Sequence, residues 1–456
     1  MRLVPSPGAF EVDQLPGPGS TLRMERAGTL LTVERRLGEG GQGVVDRVLM
    51  NGAPFAVKWY RPGPRTSEQR QAIGVLVEWG RPPHPAFVWP IDLVSCEATA
   101  GFGYVMPLLE SRFSSFAQLL SEPVQPPFRV ITTIARELVD AFAALHSSGL
   151  CYRDISFGNL AVDSTSAEVA ILDNDNVGTD NAKVFIRGTV RFMAPEIVRE
   201  EALPSTATDL HSLAVFLFYL FVHGHPLEGA RVETTYDWEA STHPSESELS
   251  VLHFGTDPLF VFDPDNTSNR PLPGDPMLVW WSLYPRFFRE IFVQAFTTGL
   301  HDASLHGRVT EGVWRRNILR LHDCASMCPA CTAALFWDPD EPETACWHCQ
   351  GVPPPPAVLE INGHLLVLSE GATLTSHHLT RDRNYRSVAG LVEHHPAQPG
   401  AFVLRNMSPT AWTLVPDGEE PKTVVPGQRL AVREMSIDFG VARGRIRDPA
   451  AAGRLS

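Results

Sequence analysis

Apolar positions between Pro127 and His146 recur at helical spacing, with Val130, Ile131, Ile134, Leu138, Phe142 and Leu145 sharing one face, and this predicts a buried helix. The unbroken apolar run 213–222, flanked by His211 and His223, predicts a second. It has about half the length needed to cross a bilayer, so it reads as core and not as a membrane span. Nearer the start the period falls to two. Leu30, Thr32 and Val33 lead into Leu37-Gly38-Glu39-Gly40-Gly41-Gln42-Gly43-Val44-Val45, a strand, a glycine turn and a strand, and Phe55-Ala56-Val57-Lys58-Trp59 supplies the next strand. A helix is expected over 67–79, after Pro64, with Thr66 or Ser67 as its cap. Residues 85–93 and 103–109 alternate like two further strands. Short alternating runs at 365–368, 401–404, 413–415 and 429–432, punctuated by Gly363, Gly371, Gly400, Gly418 and Gly427, predict an all-β module at the end.

Length divides this pattern into several bodies, because 456 residues exceed what one core serves. The net charge of −14 argues against a general nucleic-acid coat, which needs clustered Lys and Arg. The first nineteen residues have four prolines and no basic start followed by an apolar run, so no export signal is read there. Cys96 and Cys151 stand apart, whereas Cys324, Cys328, Cys331, Cys346 and Cys349 crowd one segment. Such clustering favours metal over disulfides, in a reducing cytoplasm.

The chemistry concentrates between Leu150 and Glu196. Tyr152-Arg153-Asp154-Ile155-Ser156-Phe157-Gly158-Asn159 is followed by Leu172-Asp173-Asn174-Asp175, by Gly188-Thr189 and by Ala194-Pro195-Glu196. Asp154 can accept a hydroxyl proton, and Asn159 and Asp173 can hold Mg²⁺ on a nucleoside triphosphate. A lone glycine loop is a weak signal and a lone lysine usually a solvated one. Set ahead of this acidic stretch, Lys58 can reach the α- and β-phosphates. The order of motifs resembles eukaryotic-type (Hanks-type) serine/threonine protein kinases over residues 29–321.

That resemblance implies a bilobal kinase fold using ATP with Mg²⁺ or Mn²⁺. Leu37, Gly38, Gly40, Gly43, Val45, Ala56 and Lys58 would line the nucleotide, and Met106, Pro107 and Leu108 would form the hinge against the adenine. Lys58, Asp154, Asn159 and Asp173 would be the catalytic set. Asp209 resembles the buried aspartate that ties its helix to the catalytic loop, and Arg308 the arginine that pairs with Glu196. Arg153 would bind a phosphate on the activation segment, with Thr179 as acceptor. Three departures stand out. The helix glutamate that pairs with the nucleotide lysine is expected near Ile73, where there is none; the nearest acids are Glu68 and Glu78, so either the helix register is unusual or the pair is replaced, by a glutamine such as Gln69 or Gln71. Ser156 occupies the place of a γ-phosphate lysine. Asn174-Asp175 replaces Phe-Gly. These departures favour an alternative reading, a pseudokinase scaffold that binds nucleotide and assembles a complex.

The chain is thus read as α+β and multidomain: an N-terminal extension (1–27), a kinase N-lobe (28–108) and a C-lobe (109–322) with an insert around 229–285. In the insert, residues 253–262 suggest a hairpin. With Trp89-Pro90, the hinge and His223-Gly224-His225-Pro226, it resembles a bacterial subfamily of tellurite-resistance and stress operons. There such kinases accompany a von Willebrand A-type protein and a PP2C-type phosphatase. Cys328-Pro329-Ala330-Cys331 and Cys346-Trp347-His348-Cys349, separated by 14 residues, can close a tetrahedral structural Zn²⁺ site, a zinc ribbon over 323–352. A Pro-rich linker (353–356) follows. The β-module (357–447), ahead of a short tail (448–456), resembles a forkhead-associated (FHA) domain through Thr375-Ser376-His377-His378, Leu404-Arg405-Asn406-Met407-Ser408 and Ser436-Ile437-Asp438-Phe439-Gly440. The phosphate-gripping arginine of that family has no counterpart, since His364 follows Gly363.

Overall fold

The computed structural model describes residues 15–40, 42–61, 66–122, 125–180, 188–235, 246–398, 400–415 and 420–448. It divides into two compact units. The first comprises Met1–Pro123, Asp140–Phe216 and Ser250–Thr256, the second Val124–Val139, Leu217–Leu249 and Asp257–Ser456.

The first unit opens with six strands, β1 (Thr21–Met24), β2 (Leu30–Glu39), β3 (Gly43–Met50), β4 (Ala53–Tyr60), β5 (Asp92–Cys96) and β6 (Thr99–Pro107). They close into a barrel in the order β1-β2-β3-β4-β6-β5. Alternation puts Leu22, Met24, Leu31, Val33, Val48, Val57, Trp59 and Val105 into one core. Gly43 is needed for that packing: it pairs with Tyr60, and any β-carbon on it would collide with the Trp59 carbonyl. Helix α1 (Thr66–Trp79) buries Ile73, Leu76 and Val77 and is pinned by Trp89, whose Nε1–H donates to the Leu76 carbonyl at 3.0 Å.

The strand expected over 85–93 begins only at Asp92. Residues 86–88 instead line up with the strand end at Ile171, through Val88 N–H to Ile171 O (2.9 Å) and Ile171 N–H to Ala86 O (2.7 Å). Their alternation reflects burial of Phe87 and Trp89.

Next come β7 (Ser114–Ser115), α2 (Phe116–Ser121) with a Ser115/Gln118 capping box, α3 (Phe128–Ser147), β8 (Leu150–Cys151), β9 (Leu160–Asp163), β10 (Glu168–Ile171) and β11 (Gly178–Thr179). β10-β9-β7 form one small sheet and β11 pairs with β8. α4 (Pro195–Val198) and α5 (Thr206–Val222) follow, and all of residues 213–222 are buried. The hairpin expected over 253–262 is not present: Leu252–Thr256 is a π-helical turn held to Arg199, which donates to the Gly255 carbonyl at 2.6 Å. Among the described residues no helix is long and apolar enough to cross a membrane.

The alternation of Phe260 and Phe262 has a different cause. In the second unit both contact Phe218 and Trp281, with Phe262 stacked on Trp281 at 4.4 Å. Helices Arg286–Phe296 and Glu311–Asp323 extend this aromatic core through Phe292 and Trp314. A two-stranded ribbon, β12 (Ala325–Met327) with β13 (Ala334–Phe336), comes next.

The remaining strands are β14 (Val358–Ile361), β15 (His364–Val367), β16 (Thr373–Thr375), β17 (Val388–His394), β18 (Phe402–Asn406), β19 (Trp412–Val415), β20 (Lys422–Val424), β21 (Arg429–Ala431), β22 (Met435–Asp438) and β23 (Arg443–Arg447). They make a six-stranded sheet, β15-β14-β23-β22-β19-β20, and a four-stranded one, β16-β17-β18-β21. Leu359, Leu366, Ile437 and Ile446 of the first share a core with Leu374, Val392 and Leu404 of the second around Trp412. A polar cluster joins this sandwich to the helices of the same unit. Arg129 donates to His322 O (3.1 Å), Ala325 O (2.9 Å) and Ser369 Oγ (2.9 Å), and Arg386 pairs with Glu137 at 3.0 Å.

Candidate active site

The first unit gathers the residues that the sequence singles out. Lys58 sits on central strand β4 with its ammonium almost wholly buried. Its Nζ lies 3.2 Å from Asp173 Oδ2 and 3.0 Å from Asp175 Oδ2. The two carboxylates differ in access: 39% of the Asp173 side chain is exposed against 4% for Asp175. Asp175 also accepts hydrogen bonds from Tyr60 Oη and, at 3.1 Å, from Tyr104 Oη. Burial alone would depress the Lys58 pKa, but Asp175 and then Asp173 more than offset it, so the net direction is upward.

The expectation that Gln69 or Gln71 replaces the missing helix glutamate is therefore corrected, since the anionic partners of Lys58 come from the metal motif. On α1 the position that would carry the acid is Ile73, buried among Tyr60, Val77, Phe102 and Tyr104. An apolar helix face cannot supply a counter-ion. Glu68 and Glu78 are on its exposed side.

Asp173 has a left-handed backbone (φ 46°, ψ 47°), uncommon for a non-glycine residue, which turns the chain between β10 and a 3₁₀ turn at Asn174–Asn176. Asn174 is fully buried, and its Nδ2 donates to Val88 O (2.7 Å) and Ile171 O (3.0 Å). Two hydrogen bonds thus anchor the position that holds an aromatic ring in the resembled motif.

The loop after β8 is built around Asp209. Its carboxylate accepts the backbone N–H of Tyr152 and of Arg153 (2.9 Å) and lies 3.2 Å from His146 Nε2. This fixes Arg153 at φ 75° and brings Asp154 next to Asn159, whose Nδ2 donates to Asp154 Oδ2 at 3.0 Å and to its carbonyl at 2.8 Å. Thr189 N–H donates to Asp154 Oδ1 at 3.1 Å. Burial raises the Asp154 pKa despite these donors, and burial does the same for Asp173 against the pull of Lys58. Tyr152, in the usual place of a histidine, is buried and donates to the Leu172 carbonyl. Ser156 is buried too, while Thr179 is exposed on β11, beside Gly178, against which the Arg153 guanidinium packs.

Of the nucleotide-lining candidates, Val45, Ala56, Met106 and Leu108 share one apolar cluster, with Ala56 paired to Met106 across β4 and β6. Pro107 ends β6, and Leu37 and Gly38 lie on β2 ahead of the β2–β3 turn, which Gly40 closes by donating to the Gly43 carbonyl at 2.9 Å. Gly38 and Gly40 face open space, whereas Gly43 packs against Trp59. Glu196 is buried on α4. In the second unit Arg308 is buried and donates to the Gly299 carbonyl.

The second unit also holds a possible Cys₄ metal site, in which the sulfurs of Cys328, Cys331, Cys346 and Cys349 all lie within 4.8 Å of one another. Cys328 Sγ is 3.8 Å from Cys349 Sγ, and Cys331 Sγ is 3.6 Å from Cys346 Sγ. Sulfurs placed tetrahedrally at about 2.3 Å from zinc would be roughly 3.8 Å apart, so the donor set fits that ion. Backbone N–H groups of Ala330 and Cys331 help lower the Cys328 pKa to about 7. Cys324 is outside the group, and burial drives its pKa upward.

With this geometry in place, comparison with known proteins gives a consistent class. Residues 31–253 match the protein kinase domain. Ribosomal protein S6 kinase alpha-4 of Mus musculus is 36% identical over 101 residues, 21% of this chain and 13% of that protein. Serine/threonine-protein kinase PknG of Mycobacterium leprae is 29% identical over 167 residues, 34% of this chain and 21% of its own length. Serine/threonine-protein kinase SBK2 of Homo sapiens is 26% identical over 225 residues, 45% of this chain and 63% of its own. The chain therefore spans only a small part of the first two. Within these bounds residues 31–253 are similar to a protein kinase domain, which supports a Hanks-type kinase. The matched domain and these relatives support a protein-serine/threonine kinase.

Proposed function

We propose that the protein transfers the γ-phosphoryl group of ATP to serine or threonine hydroxyls of a protein substrate. The observation that carries this reading is the convergence of Lys58, Asp173, Asn159 and Asp154 in one compact unit, with Lys58 Nζ 3.2 Å from Asp173 and Asn159 Nδ2 3.0 Å from Asp154. In this reading Lys58 neutralises the α- and β-phosphates, and Asp154 orients the acceptor hydroxyl and takes its proton as the oxygen attacks phosphorus. The donor set fits a hard cation, since Asp173 presents an exposed carboxylate and Asn159 an amide. Those two side chains would hold Mg²⁺ or Mn²⁺, which when bound supplies neutralisation of phosphate charge. Everything else is positioning, and polar groups fixed by Asp209, Thr189 and the barrel suffice for it.

The test is phosphate transfer from radiolabelled ATP by the full chain, to itself or to a generic substrate, beside the Asp154→Ala variant. Transfer by the first and none by the second supports the reading; equal labelling assigns the signal to a contaminant. The second reading is a nucleotide-binding scaffold, favoured by Ser156 in place of a lysine and by Asn174-Asp175. A thermal-shift response to Mg-ATP without any transfer would select it.

The finer assignments belong to the same proposal. Structural zinc in a ribbon over 323–352 is supported by the sulfur spacing. An FHA-like sandwich is supported by its six- and four-stranded sheets. A phosphothreonine role for it is not favoured, because His364 follows Gly363 in the β14–β15 turn. A place in a cytoplasmic stress or tellurite-resistance system, with a von Willebrand A-type protein and a PP2C-type phosphatase as partners, rests on the sequence resemblance. Thr179 as the phosphate acceptor rests on its exposure beside Arg153.

A further inference from the structure

The counter-ion of a nucleotide lysine decides how that lysine is switched. When the acid is carried by a mobile helix, rotating the helix breaks the pair and removes the lysine from the phosphates. Here the helix has nothing to offer, since its inward residue is Ile73. We propose that Asp175, the third residue of Asp173-Asn174-Asp175, is the positioning residue that holds Lys58 for the nucleotide, and that this moves control of the lysine from α1 to the metal-binding loop. The inference rests on the kinase reading above and goes further, because it names a regulatory element for that site.

Four observations carry it. The Asp175 side chain is buried and takes donors from Lys58 at 3.0 and 3.1 Å, from Tyr104 at 3.1 Å and from Tyr60, so its oxygens are engaged on the side away from solvent. Asp173 also touches Lys58 but is exposed, and its carboxylate is the one that can turn to a cation. When it does so, Asp175 remains as the partner of the ammonium. The two tyrosines keep their protons, because burial first and Asp175 next push both phenols well above their ordinary range, so they serve as permanent donors. Finally, Asn174 ties the segment to Val88 O and Ile171 O, so Asp175 is carried by an anchored turn. The geometry forms one continuous unit: a metal-facing carboxylate, an anchoring amide and a lysine-facing carboxylate on three consecutive residues.

The experiment uses the full chain and compares Asp175→Asn, Tyr60→Phe, Tyr104→Phe and the double variant Gln69→Ala/Gln71→Ala. Two quantities are read: KM and kcat for ATP in phosphate transfer, and the rate at which an acyl-phosphate ATP probe modifies Lys58, followed by mass spectrometry. Loss of a charge-assisted bond predicts a rise in KM for ATP of about 10- to 100-fold in Asp175→Asn, with a matching change in Lys58 labelling. Each tyrosine variant should shift the same quantities in the same direction by a smaller factor, and the glutamine pair should match the wild type. A core that merely needed Asp175 for folding would lower thermal stability without changing Lys58 labelling in the folded fraction, and that outcome overturns the proposal. So does an Asp175→Asn enzyme with wild-type KM, or a glutamine variant as impaired as Asp175→Asn. If Asp175→Asn does not fold, the two tyrosine variants decide the matter through the same readings. Should the wild type transfer no phosphate at all, the kinase reading fails on its own, and Lys58 labelling still judges Asp175.

Discussion

His378 Nε2 stands 3.3 Å from both carboxylate oxygens of Asp323, linking the sandwich to the last turn of the helix Glu311–Asp323. The tautomer is set from the other side of the ring, where Nδ1 accepts the Thr375 backbone N–H at 2.9 Å, so Nε2 carries the proton that Asp323 receives. Both side chains are buried. A double-mutant cycle of His378→Ala and Asp323→Asn should give a coupling energy of about 1–2 kcal/mol in denaturant unfolding. Simple additivity would remove this contact from the account of how the sandwich is fixed.

Asp154 has its pKa raised, chiefly by burial, above the ordinary carboxylate value of 3.8. Only the ionised form can take a proton, so the acid limb of the transfer rate should lie at higher pH than for a solvated aspartate, with activity lost as pH falls through it. Asp154→Asn removes the acceptor and should lower kcat by about 10²–10⁴-fold while leaving Mg-ATP binding near normal. A pH–rate profile unchanged in shape in that variant would contradict the assignment.

The sulfur cluster makes a compositional claim. Purified protein should contain one zinc per chain by elemental analysis, and Cys346→Ser should lose it. Trp347 Nε1 donates to the Ala334 carbonyl at 3.0 Å, across the two knuckles. Strong chelation should therefore alter tryptophan emission and lower the unfolding temperature, because a ribbon this small relies on its metal. Full protein with no bound metal and an unchanged melting profile would sink the site.

His322 and His223 give the second unit an acid-sensitive limb. Burial lowers the His322 pKa to about 4, helped by nearby Arg129, and burial alone takes His223 to about 4. Both start from 6.5, so between these values the unfolded chain binds more protons than the folded one. Stability is then present above pH 6.5 and is lost as pH drops towards 4, by an amount on the order of 3 kcal/mol per group at most. Replacing His322 with Gln, whose amide can still meet Thr132 Oγ1, should flatten the acid side of a stability-against-pH curve.

Much of this organisation is legible in the chain because its determinants are local. Helical spacing from 127 to 146 gives α3 (Phe128–Ser147) almost to the residue, and the 213–222 run lies buried within α5. Asp154, Asn159 and Asp173 stand out because their spacing along the chain is itself the motif. The partner of Lys58 was missed because it is 117 residues away and sits in a motif read for metal alone. Asp175 could have been suspected from one signal, a third acidic position where the resembled motif has glycine. Phe260 and Phe262 alternate as a strand would, yet their period answers to Phe218 and Trp281, a contact that no local pattern encodes. Arg129, Glu137 and His378 form the polar joint beneath the sandwich through contacts between residues far apart in the chain, which no local pattern encodes.

The buried amide of Asn174 has a pharmacological side. Compounds that trap kinases by occupying the space vacated when an aromatic ring swings out of the metal motif would meet a side chain held by the Val88 and Ile171 carbonyls. Displacing it would strand two acceptors in a dry interior. Selective ligands for this protein are therefore better sought among molecules that leave the Asn174 amide where it stands.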